Sequence, residues 1–343
     1  MNLLETRVKA WAAQLGFDDC RIARARPATH AGDFRAWLAA GNHGSMAWLE
    51  RTPDRRCDPC QVLPGCQSLI CLAMNYFPGP GAPPGPGAGY RIARYAWNRD
   101  YHKLIQDRLC EFDARLQSLG GSQKPYVDTG PVLERDFASD AGLGWNGKST
   151  MQVHPRLGTW FFLAEILTTL EITPDNPLDN HCGNCTRCIS ACPTQAITRP
   201  HQLDARRCIA YLTIEHTGPI PLEYRSAIGD HLYGCDACLE ACPWNRFAQA
   251  SHELAFHANS ALFPPRTRDF LELDTDTAFR AFFAQSPILR LKRPRFLRNV
   301  CIVLGNTGNP DDLPALAHAA ADPDPLVSEH ALWALTQIRE RHA

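Results

Sequence analysis

Residues 182–193 read Cys-Gly-Asn-Cys-Thr-Arg-Cys-Ile-Ser-Ala-Cys-Pro, and no other stretch limits the fold as strongly. The spacing C-x2-C-x2-C-x3-C-P is the bacterial ferredoxin order. There, three close thiolates grip one [4Fe–4S] cubane, and a fourth, one helical turn further on, ligates another. A second run at 235–243 supplies Cys235, Cys238 and Cys242, again with a proline behind the last cysteine. By the crossover, Cys242 returns to the first cluster and completes Cys182, Cys185, Cys188 and Cys242. The second cluster then holds Cys192, Cys235 and Cys238 and lacks one ligand. Cys208 is the only other cysteine between 182 and 242, so it is read as the eighth ligand. Two zinc knuckles are the alternative, but the spacing and both Cys-Pro ends fit cubanes better.

The chain has 343 residues and 15 cysteines. At that size, metal ligation is a better reading of so many thiols than a disulfide framework. Of the remaining cysteines, Cys57, Cys60, Cys66 and Cys71 could suggest a third metal site. Cys71 falls in the apolar run "SLICLAMNY", so a structural role is the better expectation. The 35 basic and 36 acidic residues nearly balance, so any nucleic-acid surface must be local. The stretch "RLKRPRFLR" is such a candidate: Arg290, Lys292, Arg293, Arg295 and Arg298 stand there with no acid among them. The first residues lack the apolar core of a signal peptide, and no apolar run is long enough for a membrane span. A cytoplasmic protein without a membrane partner, acting as a monomer, is expected.

Three regions are expected. Residues 1–175 alternate helix-like and strand-like segments, which predicts an α/β domain. "FRAWLAAG" and "DYHKLIQDRLCEFDARLQSLG" read as helices, and "SLICLAMNY" and "TWFFLAEILTTL" as strands. "PVLERDFASDAG" reads as a helix with Pro131 in its first turn, "TMQVHP" as a strand, and 77–90 as a Pro/Gly loop. Residues 176–250 form a ferredoxin-like two-cluster domain. Residues 251–343 form a linker and a HEAT-like helical tail, with two helical segments joined at "DPDP". Such a unit cannot bury its face alone and must stack on the rest.

Two further motifs mislead. "GLGWNGKS" at 142–149 matches a phosphate loop, but a helix precedes it and strand-like residues follow, which inverts the required context. "DTG" at 128–130 has no second copy for an aspartic-protease dyad. Asp128 is then a lone acid at a strand end, a good catalytic location or a turn-forming residue.

Taken together, "GNHGSMAWLERTPDRRCDP", "WNRDYH", "VDTGPVLERDFASDAGLGWNGKS", the cysteine runs, "LYGCDACLEACPWN" and the helical tail resemble epoxyqueuosine reductase over nearly the whole chain. The resemblance implies reduction of epoxyqueuosine to queuosine at the wobble position of a tRNA anticodon. It implies cobalamin in the N-terminal domain, two [4Fe–4S] clusters, tRNA as substrate and an external electron donor. It also places a proton-donating role on Asp128 and cobalamin contacts on Asp128, Arg56, Gln152, Leu163 and Ala210, largely through backbone. The tail is shorter than in many members, and no D-x-H-x-x-G cobalamin motif is present. A dehalogenase-like cobalamin reductase of small molecules and a non-catalytic iron–sulfur carrier are the alternatives.

Overall fold

The computed structural model describes residues 3–79 and 89–343. Most of the expected loop 77–90 therefore lies outside the described residues. A four-stranded sheet organises the first half. Its strands are β1 (Asp19–Arg24), β2 (Ser68–Asn75), β3 (Gln123–Tyr126) and β4 (Phe161–Thr168), in the order β1-β2-β4-β3. Every neighbouring pair is antiparallel. The alternation of helix and strand had suggested an α/β domain; in the structure, helices cover both faces of the sheet. β2 and β3 run the same way, as a strand–helix–strand crossover gives. β4 then inserts between them, so no two parallel strands touch within this sheet.

Period-two alternation explains the covering. Ile22, Ile70, Leu72, Ala164 and Ile166 face helices α1 (Leu3–Gln14) and α2 (Tyr101–Gln117), packing on Val8, Ile105, Leu109, Phe112 and Leu116. Ala23, Leu69, Cys71, Ala73 and Leu167 face the other way, onto Val62, Leu63 and Phe137 and Ala138 of α3 (Glu134–Asp140). All eight residues of β2 are buried, as expected of a strand with helix on both faces.

Two local expectations shift. α3 starts at Glu134 and not near Pro131, because Thr129 N–H bonds Val127 C=O (2.6 Å) and Leu133 N–H bonds Arg56 C=O (3.2 Å). Those bonds hold 128–133 in a turned path against residue 56. "TMQVHP" yields only Gln152–Val153, paired with Trp145–Asn146 in a hairpin. The glycine-rich "GLGWNGKS" belongs to that hairpin and opens no helix.

The cysteine segment packs short helices α4 (Arg187–Ser190) and α5 (Ala237–Glu240) together. It is tied to the first half at Gly44, whose φ is +62° and where an added Cβ would lie 2.4 Å from the Tyr211 hydroxyl. Ser45 N–H donates to that hydroxyl (2.7 Å), and Trp37 Nε1 donates to the Leu203 carbonyl (2.6 Å). Helices α6 (Arg293–Thr307), α7 (Leu313–Ala319) and α8 (Pro325–Arg341) close the chain. Their core is shared with Tyr90, Ile92, Trp97, Leu232 and Tyr233, so the tail is stacked on earlier segments. No helix among the described residues is long and apolar enough to cross a membrane.

Candidate active site

The eight cysteines fall into two groups. Cys242 has Cys182, Cys188 and Cys185 as electrostatic neighbours, and Cys188 has Cys182 and Cys185. Cys238 has Cys208, Cys235 and Cys192, while Cys235 has Cys208 and Cys192. One helical turn separates Cys188 from Cys192 and Cys238 from Cys242, so each short helix delivers thiols to both groups. Among the described residues no three Cys, His, Asp or Glu side chains converge on a single ion. A cubane asks for a wider arrangement, since each thiolate takes its own iron corner. Elsewhere, Cys57, Cys60 and Cys66 direct their sulfurs at the backbone carbonyls of Ala31, Cys66 and Ser68, and Cys71 is buried in β2.

Asp128 follows β3 and has φ +55°, in the left-handed region where Asp and Asn are the tolerated non-glycine residues. The Thr129-to-Val127 bond closes a three-residue turn around it. That turn projects the carboxylate toward the start of α2, where the Tyr101 hydroxyl donates to Asp128 Oδ2. His102 Nε2 stands 3.5 Å from the same oxygen. Asp100 caps α2 through His102 N–H (3.0 Å) and holds His102 Nδ1 at 2.6 Å. The Tyr101 ring stacks between His102 and Phe162, with centroids at 4.1 and 4.0 Å. Asp128 is therefore held by a side chain and is not a self-capping turn residue.

Surrounding protein pushes the Asp128 carboxyl up to about 6, and the Arg135 and Arg290 charges partly oppose that. Water still reaches 45% of the side chain, so this is a walled, open cleft. Asp100 and Glu215 add upward pressure. Arg290 reaches in from the C-terminal part, with Nη1 3.0 Å from His102 Nε2 and Nε 3.5 Å from Asp100 Oδ2. Removing its charge should push the Asp128 carboxyl up further and make it a weaker acid. Arg290→Gln is expected to move the alkaline limb of the kcat/KM profile to higher pH, because Asp128 then stays protonated longer. An unmoved limb would disconnect Arg290 from this carboxyl.

The residues singled out from the resemblance are partly brought together. Arg56 Nη1 donates to the Gly130 carbonyl (3.4 Å), beside the Asp128 turn, and its buried Nε has no partner. Leu163 lies half-buried on β4, paired with Ala73 of β2. Gln152 is 5% exposed and bonds Ser139 of α3, so its side chain is engaged by protein. Ala210 precedes the turn 211–215, whose Glu215 acts on Asp128.

The basic stretch requires a correction. Arg293 is 6% exposed and forks onto Asp322 (2.9 and 2.6 Å). Arg298 is fully buried and donates to the carbonyls of Leu212 (2.9 Å), His216 (2.8 Å) and Gly218 (2.7 Å). Arg295 binds the carbonyls of Leu291 (2.8 Å) and Ile214 (3.1 Å). These three start α6, whose buried face covers the cysteine segment, so they stitch structure and do not form a polyanion surface. Arg290 and Lys292 remain exposed. Arg298→Ala should orphan the buried carbonyl of Leu212 and the half-buried carbonyls of His216 and Gly218, and lower stability by about 3 kcal/mol. A chemical denaturation midpoint close to the parent's would contradict that role.

Sequence reasoning missed Tyr101, His102 and Asp100 as partners of Asp128, and missed Arg290 at the cleft. "WNRDYH" was conspicuous, but nothing local connects residues 100–102 with 128.

Fold and site together define a mixed α/β protein with a ferredoxin-type cysteine module and a cleft that holds Asp128 against Tyr101. Residues 181–245 match a "4Fe-4S double cluster binding domain", and residues 56–129 match "Epoxyqueuosine reductase QueG, DUF1730". An epoxyqueuosine reductase of Xanthomonas campestris is 42% identical over 96% of this chain and 95% of its own. That of Salmonella typhimurium is 39% identical over 100% of this chain and 91% of its own. The solved structure of an epoxyqueuosine reductase with an epoxyqueuosine-modified tRNA-Tyr stem loop superposes with a TM-score of 0.91. That protein is 28% identical, with 98% of this chain and 90% of that chain covered. The chain belongs to the epoxyqueuosine reductase family.

Proposed function

We propose that this protein reduces epoxyqueuosine to queuosine at the wobble position of tRNA, using cobalamin and two [4Fe–4S] clusters. The observation that carries the reading is Asp128, a carboxyl pushed up to about 6 and gripped by Tyr101 in a cleft, on a chain that also holds the double-cluster module. The solved relative bound to a modified tRNA stem loop supports the substrate.

Turning an epoxide into an alkene consumes two electrons and two protons and releases water. Cys182, Cys185, Cys188 and Cys242 hold one cluster, and Cys192, Cys208, Cys235 and Cys238 the other. An external donor feeds them, and they pass electrons singly. Bound cobalamin would supply the nucleophilic low-valent metal chemistry that side chains lack. Its site fits the unpartnered Nε of Arg56 beside the Asp128 turn, with Leu163 on the adjoining strand. Gln152 and Ala210 contribute backbone. Asp128 gives a proton to the departing oxygen. Tyr101 fixes its carboxyl, while Asp100 and Arg290 fix His102 beside it.

The functional division follows residues 1–175 for cobalamin and catalysis, 176–250 for the clusters and 251–343 for a HEAT-like tail. Exposed Arg290 and Lys292 approach the tRNA. A bare electron carrier would have no use for the Asp128 cleft. Complementation tests the reading: in a bacterium lacking its own reductase, this chain should convert accumulated epoxyqueuosine in tRNA to queuosine. Persistence of epoxyqueuosine despite expressed, cluster-loaded protein would count against it.

A further inference from the structure

Two carboxyl groups beside Asp128 have no part in the scheme above. Glu165 lies on β4, between Cys71 of β2 and Tyr126 of β3, and is 2% exposed. Neither of its oxygens meets a donor, and Oε1 of Glu134, the first residue of α3, is likewise buried and unpartnered. The two side chains lie within hydrogen-bonding reach of each other. As carboxylates they would present three buried oxygens with no donor, next to like charge. Protonation supplies the missing donors.

The surroundings do not neutralise them otherwise. Asp128, Arg135 and Arg56 are the charged groups acting on Glu134, and Asp128 and Glu134 those acting on Glu165. Tyr126 and Cys71 are the other titratable groups facing Glu165. Arg56 points its Nη1 at the Gly130 carbonyl and leaves Nε without an acceptor.

We propose that Glu134 and Glu165 form a protonated carboxylic-acid pair that resupplies Asp128 with the second proton of each turnover. The inference rests on Asp128 as the proton donor. The first proton passes from Asp128 to the epoxide oxygen as a C–O bond breaks, leaving a hydroxyl on the substrate and a carboxylate on Asp128. Loss of that hydroxyl as water requires another proton. With nucleoside over the cleft, bulk water is held off. Glu134 then protonates Asp128, which passes the proton on, and the proton left on Glu165 is shared across the pair. The two electrons come from the clusters. Solvent restores the pair when product leaves.

Burial, with Asp128 adding to it, pushes the Glu134 carboxyl up to about 8 and the Glu165 carboxyl well above its usual range. Both shifts run in the direction that the buried, donorless oxygens already require, toward the protonated form.

Infrared spectroscopy at pH 7 tests the pair without cofactor or turnover. The C=O stretch of protonated carboxyls, identified by its shift in D2O, should be present in the parent and lose two groups in Glu134→Gln/Glu165→Gln. If the double variant does not fold, Glu165→Gln alone should lose one. In the fully loaded enzyme, Glu165→Gln should lower kcat by about 10²-fold with KM for tRNA unchanged. It should also move the alkaline limb of kcat to lower pH, because the new amide donates to ionised Glu134. No protonated-carboxyl band at pH 7, or parent kcat with an unmoved limb, overturns the proposal. If Asp128→Asn is active while the band persists, the donor assignment fails and the relay with it, but the protonated pair stands.

Discussion

Asp128→Asn is expected to fold, keep both clusters and bind tRNA, yet lose turnover by about 10²–10⁴-fold, the scale of general acid catalysis. The backbone at this position, φ +55°, suits Asn as well as Asp. The Asn carbonyl oxygen can still accept from the Tyr101 hydroxyl. What is removed is the transferable proton, together with the charge of the ionised form. In the parent, the carboxyl is pushed up to about 6, so its acid form is depleted as pH rises through that value. kcat/KM should therefore fall on the alkaline side. Tyr101→Phe should cost less, since it frees the carboxyl without removing its proton. Near-normal turnover by Asp128→Asn would leave Asp128 as turn structure.

Cys208→Ser is expected to lose about half of the iron and sulfide, with the other cluster retained. Cys208 is distant in sequence from both runs, yet it sits among Cys192, Cys235 and Cys238. Serine keeps the shape and removes the soft thiolate. Cys60→Ser, at an exposed thiol directed to the Cys66 carbonyl, should leave the load unchanged. An unchanged load in Cys208→Ser after anaerobic reconstitution would show that the eighth ligand lies elsewhere.

Much of this was written in local pattern. The 2-2-3 cysteine spacing needs only a helical turn to sort thiols between two groups. "SLICLAMNY" and the Leu/Phe repeat of α2 are periodicities that burial enforces directly. What could not be read depended on contacts across the chain. β4 inserts between β2 and β3, a pairing that no periodicity encodes. Tyr101 and His102 meet Asp128 only because α2 begins beside the end of β3. Glu165 looks like an ordinary strand residue in "FFLAEILTT" until the sheet and α3 bury it. The basic run misled because charge density in sequence says nothing of exposure. Arg298 shares α6 with Leu297, Val300 and Cys301, and goes inside with them.

The most direct test of the account is anaerobic turnover of purified, cluster-loaded protein on tRNA carrying epoxyqueuosine, with cobalamin and a low-potential reductant, followed by mass spectrometry of the released nucleosides. The account predicts a product lighter by one oxygen atom, formed only when cobalamin is present. No conversion with both clusters and cobalamin in place, or equal conversion without cobalamin, would contradict it.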